Sequence, residues 1–296
     1  MKEGVLIMND YLVKAYAFGG TVRIYAATTT NLVEEARKIH DTYPAASAAF
    51  GRTLTAALIM GAMYKENQTL TIRIEGNGPI GKIVTSVNAH GEVKGLVENP
   101  HVHISNKDKL AVGMVVGNEG FIHVTKDLKV RDVFTSSSEI QTGEIAEDFT
   151  YYFAKSEQIP SSVGLGVLVN EKNEVFASGG FILQVMPGVK DETIAKIETN
   201  IKNMRPISDL IKDNFKPEDI INLITQGDHQ LVEEMPLRYK CDCSKERFYK
   251  GLSTLDKKEL KEIINEGQPI EIACEFCKTK YVFQIDELKE IEKSLR

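Results

Sequence analysis

The chain has 296 residues, a formal net charge of −6 and a pI near 5.7. That length holds a sizeable core plus at least one smaller domain, and the acidic balance argues against a dedicated nucleic-acid binder. Residues 1–187 carry 17 Lys and Arg against 20 Asp and Glu, residues 188–236 carry 6 against 10, and the last sixty carry 13 against 12, so no region has the basic excess that gripping phosphates requires.

The opening run Met1–Ile7 is too short for a signal peptide and is followed by Asn9 and Asp10, which points to a cytoplasmic protein. Leu12–Tyr16 and Val22–Ala27 predict a hairpin around Phe18-Gly19-Gly20, followed by a helix over Leu32–His40. Ala45–Tyr64 is apolar enough to be tested as a membrane span. Arg52, Thr53 and Thr55 in its middle make it a buried core helix instead, with Pro44 in its first turn. A β-rich run follows, with strands at Leu70–Glu75, Gly81–Asn88, Val93–Val97, Met114–Val116 and Phe121–Lys126 and turns at Gly76-Asn77-Gly78-Pro79 and Asn88-Ala89-His90-Gly91. Glu144–Ser156 predicts a helix, and Val163–Asn170 and Val175–Val185 two more strands. Strand pairs outnumber β-α-β units, so the expected class is α+β with a largely antiparallel sheet.

After Met186-Pro187-Gly188 the texture changes to short amphipathic helices broken by Pro206 and Pro217. Their stripes are Ile194, Ile197, Ile201 and Met204; Leu210, Ile211 and Phe215; and Ile220, Leu223 and Ile224. Isolated helices this short are marginal in water, so their apolar faces must rest on something, most simply the first domain. The expected organisation is an α+β domain over 1–187, a helical linker over 188–236 and a small four-cysteine zinc domain over 237–296.

The last of these rests on the chain's four cysteines, all in its final fifth: Cys241-Asp242-Cys243 and Cys274-Glu275-Phe276-Cys277. Four thiolates are a full tetrahedral set for zinc, with sulfurs about 2.3 Å from the metal and about 3.8 Å from one another. Residues i and i+2 of an extended segment share a face, and a tight turn brings i and i+3 together, so each pair can chelate. Buried structural cysteines or two structural disulfides would need cysteines scattered through a core or an oxidising compartment. The Cys-x-Cys half departs from common zinc ribbons, which use Cys-x-x-Cys twice with Gly or Pro shaping each knuckle. A four-thiolate zinc site carries a formal charge near −2 that neighbouring cations would stabilise. Taken as charges alone, Lys240, Lys245, Arg247, Lys278 and Lys280, with Asp242 and Glu275, form an ordinary solvated surface.

No nucleophile elbow, Walker loop or dinucleotide fingerprint is present. The glycines of Gly76–Gly81 lack the lysine and helix start of a phosphate cradle. His101, His103 and His123 lack the clustered carboxylates that would make them a metal site. Glu147, Asp148, Ser156 and Glu157 near Tyr151 and Tyr152 suggest surface charge at a helix end before acid–base work. No enzymatic activity is expected.

Beyond the cysteine pattern, the sequence resembles the bacterial redox-regulated heat-shock chaperones of about 33 kDa, the 33 kDa chaperonin family, over nearly its whole length. The resemblance is carried by Glu75-Gly76-Asn77-Gly78-Pro79-Ile80-Gly81, by Glu147-Asp148-Phe149-Thr150-Tyr151-Tyr152 with Ser156-Glu157-Gln158-Ile159-Pro160-Ser161-Ser162, and by Ala177-Ser178-Gly179-Gly180-Phe181. Only Met1–Ile7 looks foreign, and Met8 would serve as a start.

The resemblance implies a nucleotide-independent holdase, inactive while reduced with one zinc ion per chain on Cys241, Cys243, Cys274 and Cys277. Oxidants would activate it by forming Cys241–Cys243 and Cys274–Cys277 disulfides, commonly together with a mild unfolding stress. The zinc domain and linker would then unfold and bind unfolding client proteins, commonly as a homodimer, with no part for nucleic acid or membrane. Physical chemistry supports such a switch, because zinc contributes about 10–16 kcal/mol to a small metallodomain, more than its whole stability. A Cys-x-Cys bridge in an extended backbone lies near the outer limit of Cα separation, about 6.8 Å, and should be strained and easily reduced. Cys274–Cys277 is therefore expected to form first. Two readings compete: a constitutive zinc-bound interaction or nucleic-acid module, and a thiol–disulfide oxidoreductase using Cys274 and Cys277. The second would need a helix N-terminus at that pair, whereas Ile270-Glu271-Ile272 and Tyr281-Val282-Phe283 predict a hairpin.

Overall fold

Apolar–polar alternation and glycine-containing turns build the larger part of the protein. The computed structural model describes residues 9–102, 104, 110–130 and 132–294. The expectations placed on Met1–Met8 and His103 lie outside them. The chain separates into two compact units, the first running to Lys240 and the second starting at Cys241.

In the first unit, β1 (Tyr11–Ala17) and β2 (Val22–Thr28) form the expected hairpin, with Gly19 and Gly20 of its turn at φ of 65° and 85°. Helix α1 spans Thr30–His40 and α2 spans Pro44–Gly61, with Pro44 in the first turn. β3 (Thr69–Gly76), β4 (Lys82–Asn88) and β5 (Glu92–Val97) follow. Then come α3 (Val112–Val116), β6 (Gly120–Asp127), β7 (Phe134–Glu139) and α4 (Ala146–Tyr152), the last continued by a π turn over Phe153–Glu157. β8 (Ser161–Val169) and β9 (Val175–Val185) complete the run. The fold class is α+β. Two sheets, ordered β10-β1-β2-β9-β8 and β11-β5-β4-β3-β6-β7, are antiparallel apart from the short β11/β5 pair; β10 (His229–Pro236) and β11 (Arg238–Tyr239) are described below.

Strands of both sheets pack on α2, which is buried almost all round. Its arginine is accommodated by pairing: the Arg52 guanidinium donates to the Glu144 carboxylate at 2.7 Å and to the Glu144 carbonyl at 3.0 Å. No helix among the described residues is long and apolar enough to cross a membrane.

Met114–Val116, expected as a strand, lies in the short helix α3. Tertiary contact overrides the β-branched composition, because the Val115 and Val116 carbonyls accept from Ile80 and Gly78 of the β3–β4 turn. A Cβ at Gly76 would lie 2.0 Å from the Val116 carbonyl oxygen, so the glycines of this turn serve close backbone approach. Asp148 is likewise structural, buried and accepting from the backbone N–H groups of Gln141, Thr142 and Ile145 at 2.8–2.9 Å. Glu157 binds Lys126 and Tyr152.

The three amphipathic helices after residue 187 are α5 (Asp191–Asn203), α6 (Ile207–Lys212) and α7 (Pro217–Thr225). Ile197, Ile207, Leu210, Ile211, Ile220, Ile221 and Ile224 form one apolar cluster with Val13, Ala15, Val22, Ile24, Phe181 and Leu183 of β1, β2 and β9. Gly179 permits this seat, since a Cβ there would lie 2.4 Å from Ile211 Cδ1. β10 then pairs with β1 at the sheet edge, most of its residues exposed, an element the sequence reading did not anticipate. β11 pairs with β5, and the buried Tyr239 hydroxyl donates to the Gly95 carbonyl at 2.9 Å.

In the second unit, Ser244 caps α8 (Lys245–Leu252) by accepting from Arg247 N, and Asp256 caps α9 (Lys257–Asn265). The expected hairpin is β12 (Ile270–Ala273) paired with β13 (Lys280–Phe283), followed by α10 (Ile285–Ser294). Its buried apolar core is small: Leu252, Leu260, Phe283, Leu288 and Ile291.

Candidate metal centre

The four cysteines converge within the second unit. Their sulfurs all lie within 4.8 Å of one another, with Cys241 and Cys274 sulfurs 3.7 Å apart and Cys243 and Cys277 sulfurs 3.3 Å apart. The first matches the roughly 3.8 Å between sulfurs around a tetrahedral zinc and the second is about half an ångström shorter. Cys274 is buried and the other three are partly buried. A compact all-thiolate donor set of four fits a soft or borderline divalent metal such as zinc.

Each pair is placed by its local backbone. Cys241 and Cys243 precede the Ser244 cap, in a stretch without regular structure. Cys274 and Cys277 sit in the β12–β13 turn, closed by Lys278 N donating to the Cys274 carbonyl at 2.7 Å and Cys274 N donating to the Thr279 carbonyl at 2.9 Å. Lys278 takes φ of 58°, the left-handed position usually given to glycine, so the turn that carries Cys274 and Cys277 closes without one.

Burial lifts the Cys241 and Cys243 thiols above their ordinary range. Cys277 behaves differently. Burial alone would raise it, yet hydrogen bonding with the Thr279 hydroxyl and backbone N–H and with Cys243 and Cys241 brings it down to about 7. Tyr281 is raised to about 12 by its bond with Cys243, so it remains a proton-bearing hydroxyl at neutral pH.

The flanking charges are spent on one another. Lys245 pairs with Glu287 at 2.7 Å, Arg247 with Asp242, Lys278 with Glu275 at 3.0 Å and Lys280 with Glu271 at 2.8 Å. The groups that do approach the sulfurs, Thr279 and Tyr281, carry no charge and were not singled out from sequence. Cysteine spacing marks ligands, whereas no spacing rule marks a hydroxyl that reaches a sulfur 38 residues away.

The histidines do not assemble. His101 Nε2 lies 2.9 Å from Asp41 Oδ2, while His123 Nδ1 bonds Ser137 Oγ at 2.7 Å. Among the described residues, the cysteines are the one group of three or more His, Cys, Asp or Glu close enough to share an ion.

Comparison with known proteins adds a family. A family model described as Hsp33 protein matches residues 10–284. The 33 kDa chaperonin of Bacillus licheniformis is 50% identical over 288 residues, covering 97% of this chain and 100% of that one. The Staphylococcus aureus (strain Newman) 33 kDa chaperonin is 49% identical over 290 residues, covering 97% and 99%. The crystal structure of the 33 kDa chaperonin from Thermotoga maritima matches with a TM-score of 0.90 at 36% identity, covering 97% of this chain and 99% of that chain.

Proposed function

The chain belongs to the Hsp33 family of chaperones, and from that premise we propose that it is an ATP-independent, redox-controlled holdase of the cytoplasm. In the reduced, inactive form Cys241, Cys243, Cys274 and Cys277 hold one zinc ion. Zinc, when bound, supplies the cross-link that ties the two halves of the second unit together. Oxidation joins Cys241 to Cys243 and Cys274 to Cys277, which removes all four ligands. The region 237–296 and the linker 188–236 then unfold, and the exposed apolar surface binds unfolding client proteins, the active form being a homodimer.

The observation that carries this reading is the convergence of four sulfurs in a unit whose own apolar core is five buried side chains. Five buried side chains are a small core for a unit of this length, since domains this small usually need a metal or disulfides to fold alone. Without the roughly 10–16 kcal/mol of a structural zinc, a unit of this size is not expected to stay folded. The linker supplies the second half. Its helices bury seven isoleucine and leucine side chains against β1, β2 and β9, so undocking uncovers apolar surface on both partners.

Zinc content and suppression of aggregation of a heat-unfolded client, measured before peroxide, after peroxide and after re-reduction, test the proposal. Zinc loss with reversible gain of holdase activity supports it. Zinc retention, or loss without activity, replaces it with a constitutive zinc-bound interaction module.

A further inference from the structure

A four-thiolate zinc site holds a formal charge near −2, and something must compensate it. The five cations flanking the cysteines, Lys240, Lys245, Arg247, Lys278 and Lys280, are each held by a carboxylate. Two neutral hydroxyls on the second strand of the hairpin and its turn reach the sulfurs instead. Thr279 Oγ1 is 3.2 Å from Cys277 Sγ, and Tyr281 Oη is 3.2 Å from Cys243 Sγ. As a thiol Cys277 donates to Thr279 Oγ1, and only when the sulfur is ionised does the hydroxyl become the donor of that couple, as it does of the Tyr281–Cys243 couple. Tyr281 Oη also donates to the Cys243 carbonyl at 3.2 Å, so its one proton is shared between that oxygen and the sulfur. Its ring is fixed against Phe248, with centroids 5.1 Å apart, and its backbone pairs with Ile272 across the hairpin. One hydroxyl therefore serves each cysteine pair, and Tyr281 ties the first pair to the strand that follows the second.

We propose that Tyr281 and Thr279 are positioning residues of the switch: their hydroxyls donate to the Cys243 and Cys277 thiolates, prolong the hold on zinc and slow attack on the oxidant. The inference rests on the zinc–thiolate reading given above. In the oxidation, a thiolate attacks peroxide, the O–O bond breaks, and a sulfenic acid and hydroxide result. The neighbouring thiolate then displaces hydroxide to close the S–S bond, so two thiolates lose two electrons and peroxide is reduced to two hydroxides. A lone pair engaged by a hydroxyl proton is less available for the first attack. Neutral donors suit a switch better than cations would, because they stabilise the ligand set without drawing the thiolates into a permanent ion pair.

The test uses the reduced, zinc-loaded full chain and its Tyr281→Phe, Thr279→Val and Thr279→Ser variants. Zinc transfer to a chromogenic chelator is followed with and without hydrogen peroxide. Tyr281→Phe keeps the ring and its packing, and Thr279→Ser keeps the hydroxyl. Loss of an outer-shell partner typically changes metal affinity about 10–100-fold. Tyr281→Phe and Thr279→Val are expected to release zinc about tenfold faster in both arms, with Thr279→Ser at the wild-type rate. Wild-type release rates in both Tyr281→Phe and Thr279→Val would overturn the inference, as would equal acceleration by Thr279→Val and Thr279→Ser. The chelator arm involves no oxidant and no client. A zinc-loaded wild type whose holdase activity ignores peroxide would overturn the proposed function alone, whereas a wild type that binds no zinc would overturn both.

Discussion

Ile224 offers a direct way to separate linker docking from metal chemistry. Its side chain is fully buried in the cluster between α7 and the β1–β2–β9 face, more than 15 residues from the nearest cysteine in sequence. Truncation to alanine removes buried methyl and methylene groups and leaves a cavity, costing about 2–5 kcal/mol. At about 1.4 kcal/mol per tenfold, a middle value of about 3 kcal/mol raises the undocked fraction roughly 100-fold. Leu223, the preceding residue on the same helix, is 36% exposed, so Leu223→Ala should stay within about 0.5 kcal/mol of wild type. Hydrogen exchange over residues 191–236 should accelerate in Ile224→Ala and remain near wild type in Leu223→Ala. The peroxide dose giving half-maximal suppression of client aggregation should fall in the first variant alone, while zinc affinity of the reduced protein stays unchanged in both. Faster exchange without any change in that dose would refute the coupling of linker release to holdase activity.

Phe283→Ala removes the largest of the fully buried side chains in the second unit, at a cost of about 3–5 kcal/mol, and should lower the temperature at which the reduced protein gives up zinc to a chelator. Glu92 accepts from Lys240 at 2.8 Å, from Asn88 at 2.9 Å and from Arg238, and Lys240 foremost holds its carboxyl down to about 2. The carboxylate's contribution is therefore present above the ordinary carboxylate range and is lost as pH falls through about 2. Because its partners are half-exposed, Glu92→Gln should destabilise β11 by no more than about 1 kcal/mol at pH 7 and should flatten the acid limb of exchange protection at residues 238–240. Mass spectrometry at low peroxide should find Cys274–Cys277 before Cys241–Cys243, and the opposite order would contradict the strain expected of a Cys-x-Cys bridge.

Legibility in the sequence followed how far each signal depended on distant partners. β3, β4 and β5 alternate against a buried face, whereas β2 and β9 are apolar runs buried almost throughout, and both kinds of pattern show in the sequence. β10 does not, because it sits at a sheet edge with both faces largely exposed, and its Leu231-Val232-Glu233-Glu234 has no period to detect. β7 was missed for a related reason: Phe134–Glu139 is mostly hydroxylic and is held by cross-strand pairs such as Thr125 with Thr135 at 2.9 Å. α3 was misread since five residues carry no helical period, and its identity is set by the turn it packs on. The cysteines were legible because ligand spacing is a local property. Tyr281 and Thr279 were not, and the destination of the flanking lysines and arginine also lay in partners that only the fold brings together.

Which sulfurs join decides how far oxidation opens the second unit. In the folded cluster the short contacts run between the two pairs, Cys241 to Cys274 and Cys243 to Cys277. A bridge of that kind would close a loop of some 34 residues and stabilise the unit by about 4 kcal/mol through the unfolded chain. Bridges within Cys241–Cys243 and Cys274–Cys277 close loops of three and four residues, contribute under about 2 kcal/mol, and still abolish the ligand set worth about 10–16 kcal/mol. Two bridges between the pairs would return about 8 kcal/mol of that loss and two local ones under about 4 kcal/mol, so the local pairing leaves the larger net loss. Chain statistics favour them as soon as the cluster loosens: bringing together the ends of a 34-residue loop costs about 2 kcal/mol more than for four residues, roughly a 25-fold disadvantage. The first sulfur to be oxidised weakens the cluster, and each loosening dilutes distant cysteines while leaving the adjacent one in place. On the proposed function the switch therefore reinforces itself, since the first local bridge removes two ligands and makes the second local bridge the easiest remaining one to form.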